Sequence, residues 1–267
     1  MATNPAYERV KAARANQRPT GLDYINGIFT DFFELHGDRR SGDDAAIVGG
    51  VAYLDEMPVT VLAIEKGHNA KARLERNFGA PSPAGYRKAL RLMQQAEKFH
   101  RPVLCFVDTS GARCDIEAET QGQGQAIAEN LTAMIGLQVP VLSVLIGEGG
   151  SGGALALAVA DEVWMLENAI YSVISPEGCA SILWKDAARS ADAAACLKLT
   201  AADALHFGVI EQVIPEAALG KDAFYRLLRT GLHQKLQALQ ALDPQVLLAR
   251  RYARFRRLGT ADLEEQP

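Results

Sequence analysis

The sequence predicts an α/β protein with one catalytic domain and helical ends. Apolar segments of strand length alternate along the 267 residues with segments whose apolar residues recur at helical spacing. The composition is 48% hydrophobic and 22% charged, which is typical of globular proteins. No apolar run is long enough to span a bilayer, so we expect no transmembrane helix.

The charge and the cysteine content exclude several functional classes. The net charge of −4 gives no general indication of binding to nucleic acid or to a membrane surface. The 4 cysteines contain no C-x-x-C pair, which argues against a zinc site and against a disulfide framework. Residues 1–19 are polar and lack the apolar core of a secretory signal. We therefore expect a cytoplasmic protein with no metal site, no membrane partner and no nucleic-acid partner.

The N-terminal part is predicted to hold two helices and a β-hairpin. Residues 1–20 form a charged lead-in with one short helix, and apolar residues over 22–35 recur near helical spacing. Residues 46–54 and 58–65 are apolar strands, and the short turn at Asp55–Glu56 between them predicts antiparallel pairing.

A loop over residues 66–79 carries four cations. Charge alone permits two interpretations, a solvated surface segment or a cationic lip that attracts phosphates or carboxylates. The candidate contacts are Lys66, Lys71, Arg73 and Arg76.

The middle of the chain is predicted to continue as helix, strand and helix. Ser82 as N-cap and Pro83 at the first helical position predict a helix that runs to about His100. A buried strand over 102–109 and a helix over 117–137 follow, with a turn between them.

The C-terminal part adds short strands and several helices. Ser175, Pro176 and Glu177 form a second helix start with an N-cap, a proline and an acid. The last helix holds five arginines, and because the chain is acidic overall, a solvated helix face or a subunit contact is favoured over nucleic-acid binding. The predicted strands are 162–166, 169–173 and 209–214, the predicted helices are 187–197, 201–207, 222–242 and 244–257, and the arginines are Arg250, Arg251, Arg254, Arg256 and Arg257.

The strongest functional signal is the glycine-rich stretch from Gly147 to Ala154. It has five glycines in eight residues, and it lies between an apolar strand over 139–146 and an apolar segment over 154–160 that suits a buried helix. A strand, a glycine turn and a helix start direct free backbone N–H groups and the positive end of a helix dipole at one point. The stretch is therefore predicted to stabilise an anion with its main chain.

Several chemistries could use this stretch, and the residues favour an oxyanion hole. Residues 149–153 match the G-x-S-x-G pattern of a serine hydrolase, whose histidine would be His206, with Asp203 nearby, or His233. The lysine of a phosphate-binding P-loop is missing, and the stretch does not follow the first strand as a dinucleotide fingerprint would. Backbone N–H groups that wait for developing negative charge explain the glycines best, and the hydrolase stays an alternative.

Six segments carry motifs that are long and specific enough to indicate a family. They lie at residues 22–25, 43–50, 76–79, 85–93, 147–154 and 171–185. Together they resemble the carboxyltransferase alpha subunit of bacterial acetyl-coenzyme A carboxylase, over about residues 20–257. The domain organisation that follows is a lead-in over 1–20, a carboxyltransferase domain over 21–257 and a tail over 258–267.

The resemblance implies a crotonase-type fold, in which ββα units spiral into a superhelix. It implies transfer of a carboxyl group from carboxybiotin, held on the biotin carboxyl carrier protein, to acetyl-coenzyme A, which gives malonyl-coenzyme A for fatty-acid synthesis. It also implies an α2β2 heterotetramer with a beta subunit, an active site between the subunits, and an indirect link to biotin carboxylase. This chain would bind no cofactor itself, since the zinc of the family lies on the beta subunit.

The resemblance also assigns site residues. The N–H groups of Gly152 and Gly153 would hold the ureido oxygen of biotin as its ring nitrogen loses the carboxyl group, which makes these two residues the catalytic candidates. No side-chain base is required, because the biotin anion can take the methyl proton of the thioester. The cationic loop becomes a candidate for contacts with the phosphates of coenzyme A. The candidates for substrate or biotin binding are Gly149, Gly150, Ser151, Gly111, Ala112, Glu119, Gly122 and Gln123.

One region departs from the family's pattern. Where the family has Asp-Thr-Pro-Gly-Ala-Tyr-Pro-Gly and then an acidic pair with Arg-Gly-Gln, this chain has DTSGARCD over 108–115 and ETQGQ over 119–123. The prolines, an aromatic, an acid and an arginine are replaced, and Arg113 adds a charge. The alternative to the main interpretation is therefore a divergent paralogue with another acyl-coenzyme A substrate or a mainly structural or regulatory role.

Overall fold

The computed structural model describes residues 5–259, so residues 1–4 of the predicted lead-in and residues 260–267 of the predicted tail lie outside the described residues. Within the described part, a mixed sheet of eight strands runs through the domain. The strands are β1 Thr30–Glu34, β2 Ile47–Leu54, β3 Met57–Ile64, β4 Val103–Thr109, β5 Val141–Gly150, β6 Glu162–Leu166, β7 Ile170–Ser172 and β8 Gln212–Ile214.

Helices cover this sheet, and further helices lie at both ends of the described part of the chain. Their bounds are α1 Pro5–Ala13, α2 Gly21–Ile28, α3 Ala70–Glu75, α4 Pro83–Lys98, α5 Ile116–Thr120, α6 Gln123–Gly136, α7 Ser151–Leu155, α8 Pro176–Trp184, α9 Ser190–Cys196, α10 Ala201–His206, α11 Asp222–Gln240 and α12 Pro244–Arg256. None of the helices within residues 5–259 is long and apolar enough to cross a membrane.

The sheet changes from antiparallel to parallel pairing along its order β1-β2-β3-β4-β5-β6-β8. The predicted hairpin is confirmed, because β2 and β3 pair antiparallel from Ile47↔Ile64 to Leu54↔Met57. From β3 onward, successive strands pair in parallel, as helical crossovers require. β7 pairs in parallel with the end of β5, at the glycine-rich stretch. The predicted α/β class is confirmed.

The core lies between the parallel strands and the helices that cover them. Every residue of β4 is buried, as expected for a strand covered on both faces. The 16-residue helix α4 buries Ala89, Leu92 and Met93 against the sheet. Tyr24 of α2 stacks on Phe106 of β4 with ring centroids 5.4 Å apart. Burial of each large apolar side chain contributes about 1.5–3 kcal/mol, so the parallel strands form a rigid platform for their loops.

Two of the predicted helices are wrong in part. The helix over 22–35 ends at Ile28, and residues 30–34 form the edge strand β1 instead. Pairing with β2 makes residues 30–34 a strand. Because Gly50 of β2 has no side chain, the Phe33 carbonyl oxygen comes within 2.1 Å of the position that a Cβ of residue 50 would occupy. The helix over 117–137 is broken between α5 and α6, because Gly122 adopts a left-handed φ of 84°.

The elements around the glycine-rich stretch also differ from the prediction. β5 continues through Gly150 rather than ending before Gly147. The helix predicted over 154–160 is wrong, because α7 ends at Leu155 and the next three residues form turns. The sharp change of direction falls on Ser151, which has a φ of 51°. The remaining predicted elements are present with their ends shifted by a few residues.

The C-terminal arginines do not share one environment, so the expectation of a single solvated face or contact surface is wrong for two of them. Arg251 is fully buried, where it pairs with Asp161 at 2.7 Å and donates to the carbonyl oxygens at the end of α6. Arg254 is also buried and pairs with Glu211 at 2.6 Å. These two arginines therefore fix α12 to the domain.

Candidate active site

The candidate site lies at the carboxyl edge of the parallel sheet, where β5 passes into α7. The first N–H groups of a helix have no intrahelical acceptor, which applies to Gly152 and Gly153 in the first turn of α7. The glycines lie between a strand and a helix as the sequence predicted, and their role in binding an anion stays a prediction. We call residues 147–153 the glycine wall.

The glycines of this wall are required by close packing rather than by unusual backbone angles, since none of them has a positive φ. A Cβ at Gly147 would lie 2.3 Å from the Asp108 carboxylate, and one at Gly150 would lie 2.3 Å from the Ser110 carbonyl oxygen. A Cβ at Gly153 would lie 2.5 Å from the Ala112 nitrogen. Gly152 differs, because its nearest neighbour, on Ile127, is 3.7 Å away.

A cleft of about 810 Å³ opens in front of the glycine wall. It brings together seven of the residues singled out from the sequence, from the 110s turn, from α5–α6 and from the start of α7. These are Gly111, Ala112, Glu119, Gln123, Ser151, Gly152 and Gly153. A second cleft of about 300 Å³ lies on the other side of Ser151 and Gly152.

The other predicted site residues lie beside the main cleft rather than in its lining. Gly149 and Gly150 line a small separate cavity with Glu148 and Arg14. Gly122 is the N-cap of α6 and directs the chain so that Gln123 reaches the cleft. The Gln123 side chain is held there by a 2.9 Å bond from its amide nitrogen to the Pro81 carbonyl oxygen.

The opposite side of the cleft is formed by residues 113–121, which we call the loop wall. Asp115 caps α5 by accepting the Ala118 N–H at 2.8 Å. Arg113 pairs with Asp115 at 2.6 Å and with Glu117 at 2.9 Å, and these bonds to Asp115 and then Glu117 raise the Arg113 pKa. Ile116 is 86% exposed at the cleft margin. Contacts among its own side chains hold this wall together with the buried Ala118. Two further bonds come from outside it, because the Arg113 N–H donates to the Pro81 carbonyl oxygen at 3.0 Å and Arg87 donates to the Gln121 carbonyl oxygen.

A charge cluster with a buried centre lies behind the glycine wall. We call Lys66, Asp108, Glu148, Arg14 and Glu177 the buried charge cluster, and within it the Arg14 and Glu177 side chains are 34% and 40% exposed. Lys66 pairs with Asp108 at 2.6 Å and with Glu148 at 3.3 Å, and Arg14 pairs with Glu148 and with Glu177, both at 2.8 Å. The Asp108 carboxylate also accepts the Glu148 N–H at 2.7 Å. The cluster therefore ties the ends of β3, β4 and β5 to the N-terminal helix.

Lys66 was expected on a cationic lip, and the structure corrects this. Its side chain is only 17% exposed, and both of its carboxylate partners belong to the domain interior. Burial would lower the Lys66 pKa, but the charges of Asp108 and Glu148 outweigh burial and raise it. Lys66 thus stays protonated and acts neither as a base nor as an exposed phosphate contact.

The other three cations of the loop are more accessible. Lys71 is 87% exposed and lies 4.0 Å from Glu75. Arg73 donates to the Gly67 carbonyl oxygen and to Asn16, and Arg76 donates to the Ala45 carbonyl oxygen at 2.6 Å. Their role as contacts for coenzyme A stays a prediction.

The cleft contains no nucleophile–base pair within the described residues. Ser151 has the left-handed backbone of a nucleophile elbow, but no histidine lines either cleft. His233 faces Asp55 at 3.5 Å on α11, and His206 stacks on Phe207. Tyr86 is the nearest buried hydroxyl, and it donates to the Gly153 carbonyl oxygen at 3.1 Å. Burial, and then the charge of Asp44, raise the Tyr86 pKa, so it holds the backbone as a neutral donor.

Sequence reasoning missed the buried charge cluster because charged residues are usually exposed. Asp108 at the end of a buried strand and Glu148 inside the glycine run were the available signals. Among the residues described, no group of three or more His, Cys, Asp or Glu side chains could hold a metal ion.

Two solved structures show which class of fold the chain has. The chain matches the malonate decarboxylase hetero-tetramer of Pseudomonas in complex with coenzyme A with a TM-score of 0.71 and 20% identity, over 92% of this chain and 97% of that chain. It matches transcarboxylase 12S with a TM-score of 0.67 and 20% identity, over 82% of this chain and 42% of that one. The fold is therefore that of the crotonase-like carboxyltransferases, as the resemblance predicted.

The particular family follows from the sequence itself. Residues 3–259 match the family described as acetyl co-enzyme A carboxylase carboxyltransferase-like, and the chain belongs to this family. It is 59% identical to the acetyl-coenzyme A carboxylase carboxyl transferase subunit alpha of Ruminiclostridium cellulolyticum, over 95% of this chain and 98% of that protein. It is 50% identical to a protein of Clostridium tetani named for subunits beta/alpha, over 95% of this chain and 45% of that protein. The family inferred from the motifs is confirmed.

Proposed function

We propose that this chain is the alpha subunit of an acetyl-coenzyme A carboxyltransferase. The reaction moves the carboxyl group from carboxybiotin on a carrier protein to acetyl-coenzyme A and gives malonyl-coenzyme A for fatty-acid synthesis. The observation that carries the proposal is the position of Gly152 and Gly153 in the first turn of α7, where N–H groups have no acceptor within the helix, and in the lining of a cleft without a nucleophile–base pair among the described residues. The names of the relatives support the same activity.

The chemistry needs a site that holds an anion and need not exchange protons with it. When the carboxyl group leaves the biotin ring nitrogen, negative charge spreads to the ureido oxygen, where two N–H donors lower the barrier. The nitrogen that has lost the carboxyl group then takes a proton from the thioester methyl group, and the resulting carbanion attacks the released carbon dioxide. Only main-chain donors are asked of this chain, which fits the lack of a histidine at the cleft.

The surface around the clefts supports an active site completed by another chain. Ile116 at the main cleft and Val173 at the second cleft are 86% and 75% exposed, and Ile182 and Leu183 on α8 are both above 60%. Large apolar side chains that are exposed in this way support a protein partner. Relatives named for subunits beta/alpha support a beta subunit in that position. The proposal includes the α2β2 assembly, the biotin carboxyl carrier protein as donor, zinc on the beta subunit only, and the cytoplasm as the location.

The test compares the purified chain alone with the chain co-expressed with the beta subunit of its own organism. The assay is the reverse reaction, in which malonyl-coenzyme A carboxylates biotin. We expect activity only in the co-purified complex. Full activity of the isolated chain would contradict the shared site, and inactivity of a well-assembled complex would contradict the proposed function.

A second candidate rests on the loop wall. Because its sequence departs from the family and its side chains are mostly exposed, it could accommodate a different acyl group. Turnover of the complex with acetyl-, propionyl- and malonyl-coenzyme A separates the two. A preference for acetyl-coenzyme A supports the main proposal, and at least tenfold faster turnover of another thioester supports the divergent paralogue. Labelling of Ser151 by a fluorophosphonate would instead restore the hydrolase alternative.

A further inference from the structure

A second positively charged region lies beside the candidate active site, between the β1–β2 loop and the outer side of α4. We call it the arginine pocket and define it by Arg39, Arg40, Arg87 and Arg91. It encloses about 180 Å³, has Leu90 and Asp38 in its lining, and shares no lining residue with the two clefts.

The loop that carries two of these arginines has a fixed conformation. The buried Asp38 carboxylate accepts the N–H groups of Arg40 and Ser41 at 2.8 Å and that of Gly42 at 2.9 Å. Burial would raise the Asp38 pKa, but these bonds, led by that from Gly42, lower it to about 2. Arg39 has a left-handed φ of 65°, a conformation that costs free energy in a residue with a Cβ. The loop therefore presents its arginines from a built turn.

The positive charge of the pocket is not neutralised from within. Arg87 and Arg91 are four residues apart on α4, a spacing at which like charges repel each other. Arg91 donates to the carbonyl oxygens of Gly37 and His36, and Arg39 donates to that of His36, so these bonds bring no negative charge.

Among the described residues, carboxylates approach two of the four arginines of the pocket closely. Within residues 5–259, no carboxylate lies within 4.0 Å of the Arg39 or Arg91 guanidinium, whereas Arg87 has Asp38 at 3.8 Å and Arg40 has Glu129 at 3.6 Å. Burial, and then the charge of Arg39, lower the Arg91 pKa by more than the charges of Asp43 and Asp38 raise it. Four guanidinium groups thus face a single lining carboxylate, which already accepts three backbone N–H groups.

We propose that the arginine pocket binds the phosphate group of a small phosphorylated ligand. Guanidinium groups bind phosphate through paired N–H donors, and each of the four arginines has five N–H donors, of which its internal bonds use only some. Arg87 also donates to the Gln121 carbonyl oxygen at the end of the loop wall. A ligand bound to Arg87 would therefore be connected to this wall of the main cleft by the Arg87 side chain. The site is independent of the proposed function.

The experiment is isothermal titration calorimetry of the full chain with pyrophosphate at low ionic strength. We expect one saturable site per chain, with affinity reduced at least tenfold in the Arg39→Gln/Arg40→Gln variant. Both side chains are exposed, so this variant retains the fold, and an unchanged melting temperature checks that. The matched control is Arg226→Gln on α11, which is also exposed and should bind as the wild type does.

Two further arms sharpen the result. Arg91→Gln removes a charge from the α4 side and should weaken binding to a similar degree. If coenzyme A competes with pyrophosphate and dephospho-coenzyme A does not, the phosphate bound by the pocket is the 3′-phosphate of coenzyme A. If neither compound competes, the natural ligand is a free phosphate ester. Absence of saturable binding, or equal affinity in the wild type, Arg39→Gln/Arg40→Gln and Arg226→Gln, would overturn the proposal.

Discussion

The two walls of the main cleft are held in different ways. The glycine wall is fixed by backbone contacts at distances that exclude a Cβ and by the buried charge cluster behind it. The loop wall is held by ion pairs among its own side chains near the surface, such as Arg113 with Asp115 and Glu117, and by single bonds to Pro81 and Arg87. The first wall carries the groups assigned to anion stabilisation, and the second carries the residues that depart from the family.

This difference suggests that the two walls have different roles in the proposed reaction. Anion stabilisation by backbone donors depends on position, so its wall is tied to the ends of three strands. If the loop wall contacts the acyl group, as proposed, it should tolerate substitution better than the glycine wall does. Substitutions in the glycine wall should therefore have larger effects than substitutions in the loop wall.

The largest effect is expected for Gly153→Ala. Its Cβ would lie 2.5 Å from the Ala112 nitrogen, so the first turn of α7 must shift and its N–H donors with it. We expect kcat of the complex to fall by about 10²–10³. The matched control is Gly152→Ala, whose Cβ has 3.7 Å of space and should leave the melting temperature unchanged. Equal melting temperatures and near-normal kcat in both variants would contradict a fixed wall.

Lys66→Met tests the buried charge cluster. It leaves the Asp108 and Glu148 carboxylates with one cation fewer in a buried site, which should reduce the free energy of unfolding by about 3–5 kcal/mol. Urea denaturation measures the change. Lys71→Met removes a side chain that is 87% exposed and should have no measurable effect. If both substitutions cost the same, the cluster does not hold the glycine wall.

Arg14→Gln should have a smaller effect, because the Arg14 side chain is 34% exposed. Allowing for solvent screening, we expect a loss of about 1 kcal/mol in the free energy of unfolding at neutral pH. Burial would raise the Glu177 pKa, but Arg14 outweighs this and lowers it. The Glu177 part of the stabilisation is therefore present above the unfolded pKa, about 4.3, and is lost as the pH falls through the folded pKa. The stability difference between wild type and variant should narrow over that range, and a difference that widens on acidification would argue against this pairing.

The smallest effect is expected for Arg113→Gln on the loop wall. The pairs with Asp115 and Glu117 are near the surface, so the free energy of unfolding should change by less than about 0.5 kcal/mol. We expect kcat within about twofold of the wild-type value, with any change confined to KM for the thioester. A fall in kcat as large as that of Gly153→Ala would place this arginine in the catalytic machinery and remove the contrast between the walls.

Much of the fold could be predicted because its signals are local. The hairpin over 46–65 and the helix starts at Ser82–Pro83 and Ser175–Pro176 depend on turn and cap residues that lie next to each other. The edge strand β1 could not be found in this way, because its pairing with β2 joins residues about twenty positions apart. Helical spacing in 22–35 carried no information on that partner.

The candidate site shows the same limit. The position of the turn proposed to stabilise an anion followed from the glycines, and the family motifs selected two of them. The reason for the other glycines lies in Asp108, Ser110 and Tyr171, which meet the stretch only in the folded chain. Lys66 and Arg251 were expected at the surface because of their charge, and both are buried beside carboxylates that come from distant segments.

We propose that the Gly153 N–H stabilises charge in the transition state, and replacing that amide with an ester is the sharpest test of this role. Incorporation of glycolic acid at position 153 removes the N–H without adding a Cβ, and the same change at Gly259, which has no neighbour within 4 Å of a Cβ position, controls for the chemistry. With the beta subunit bound, we expect kcat to fall by about 10²–10³ in the protein with the ester at 153 and to stay unchanged in the protein with the ester at 259. A fully assembled complex with the ester at 153 and normal kcat would contradict it.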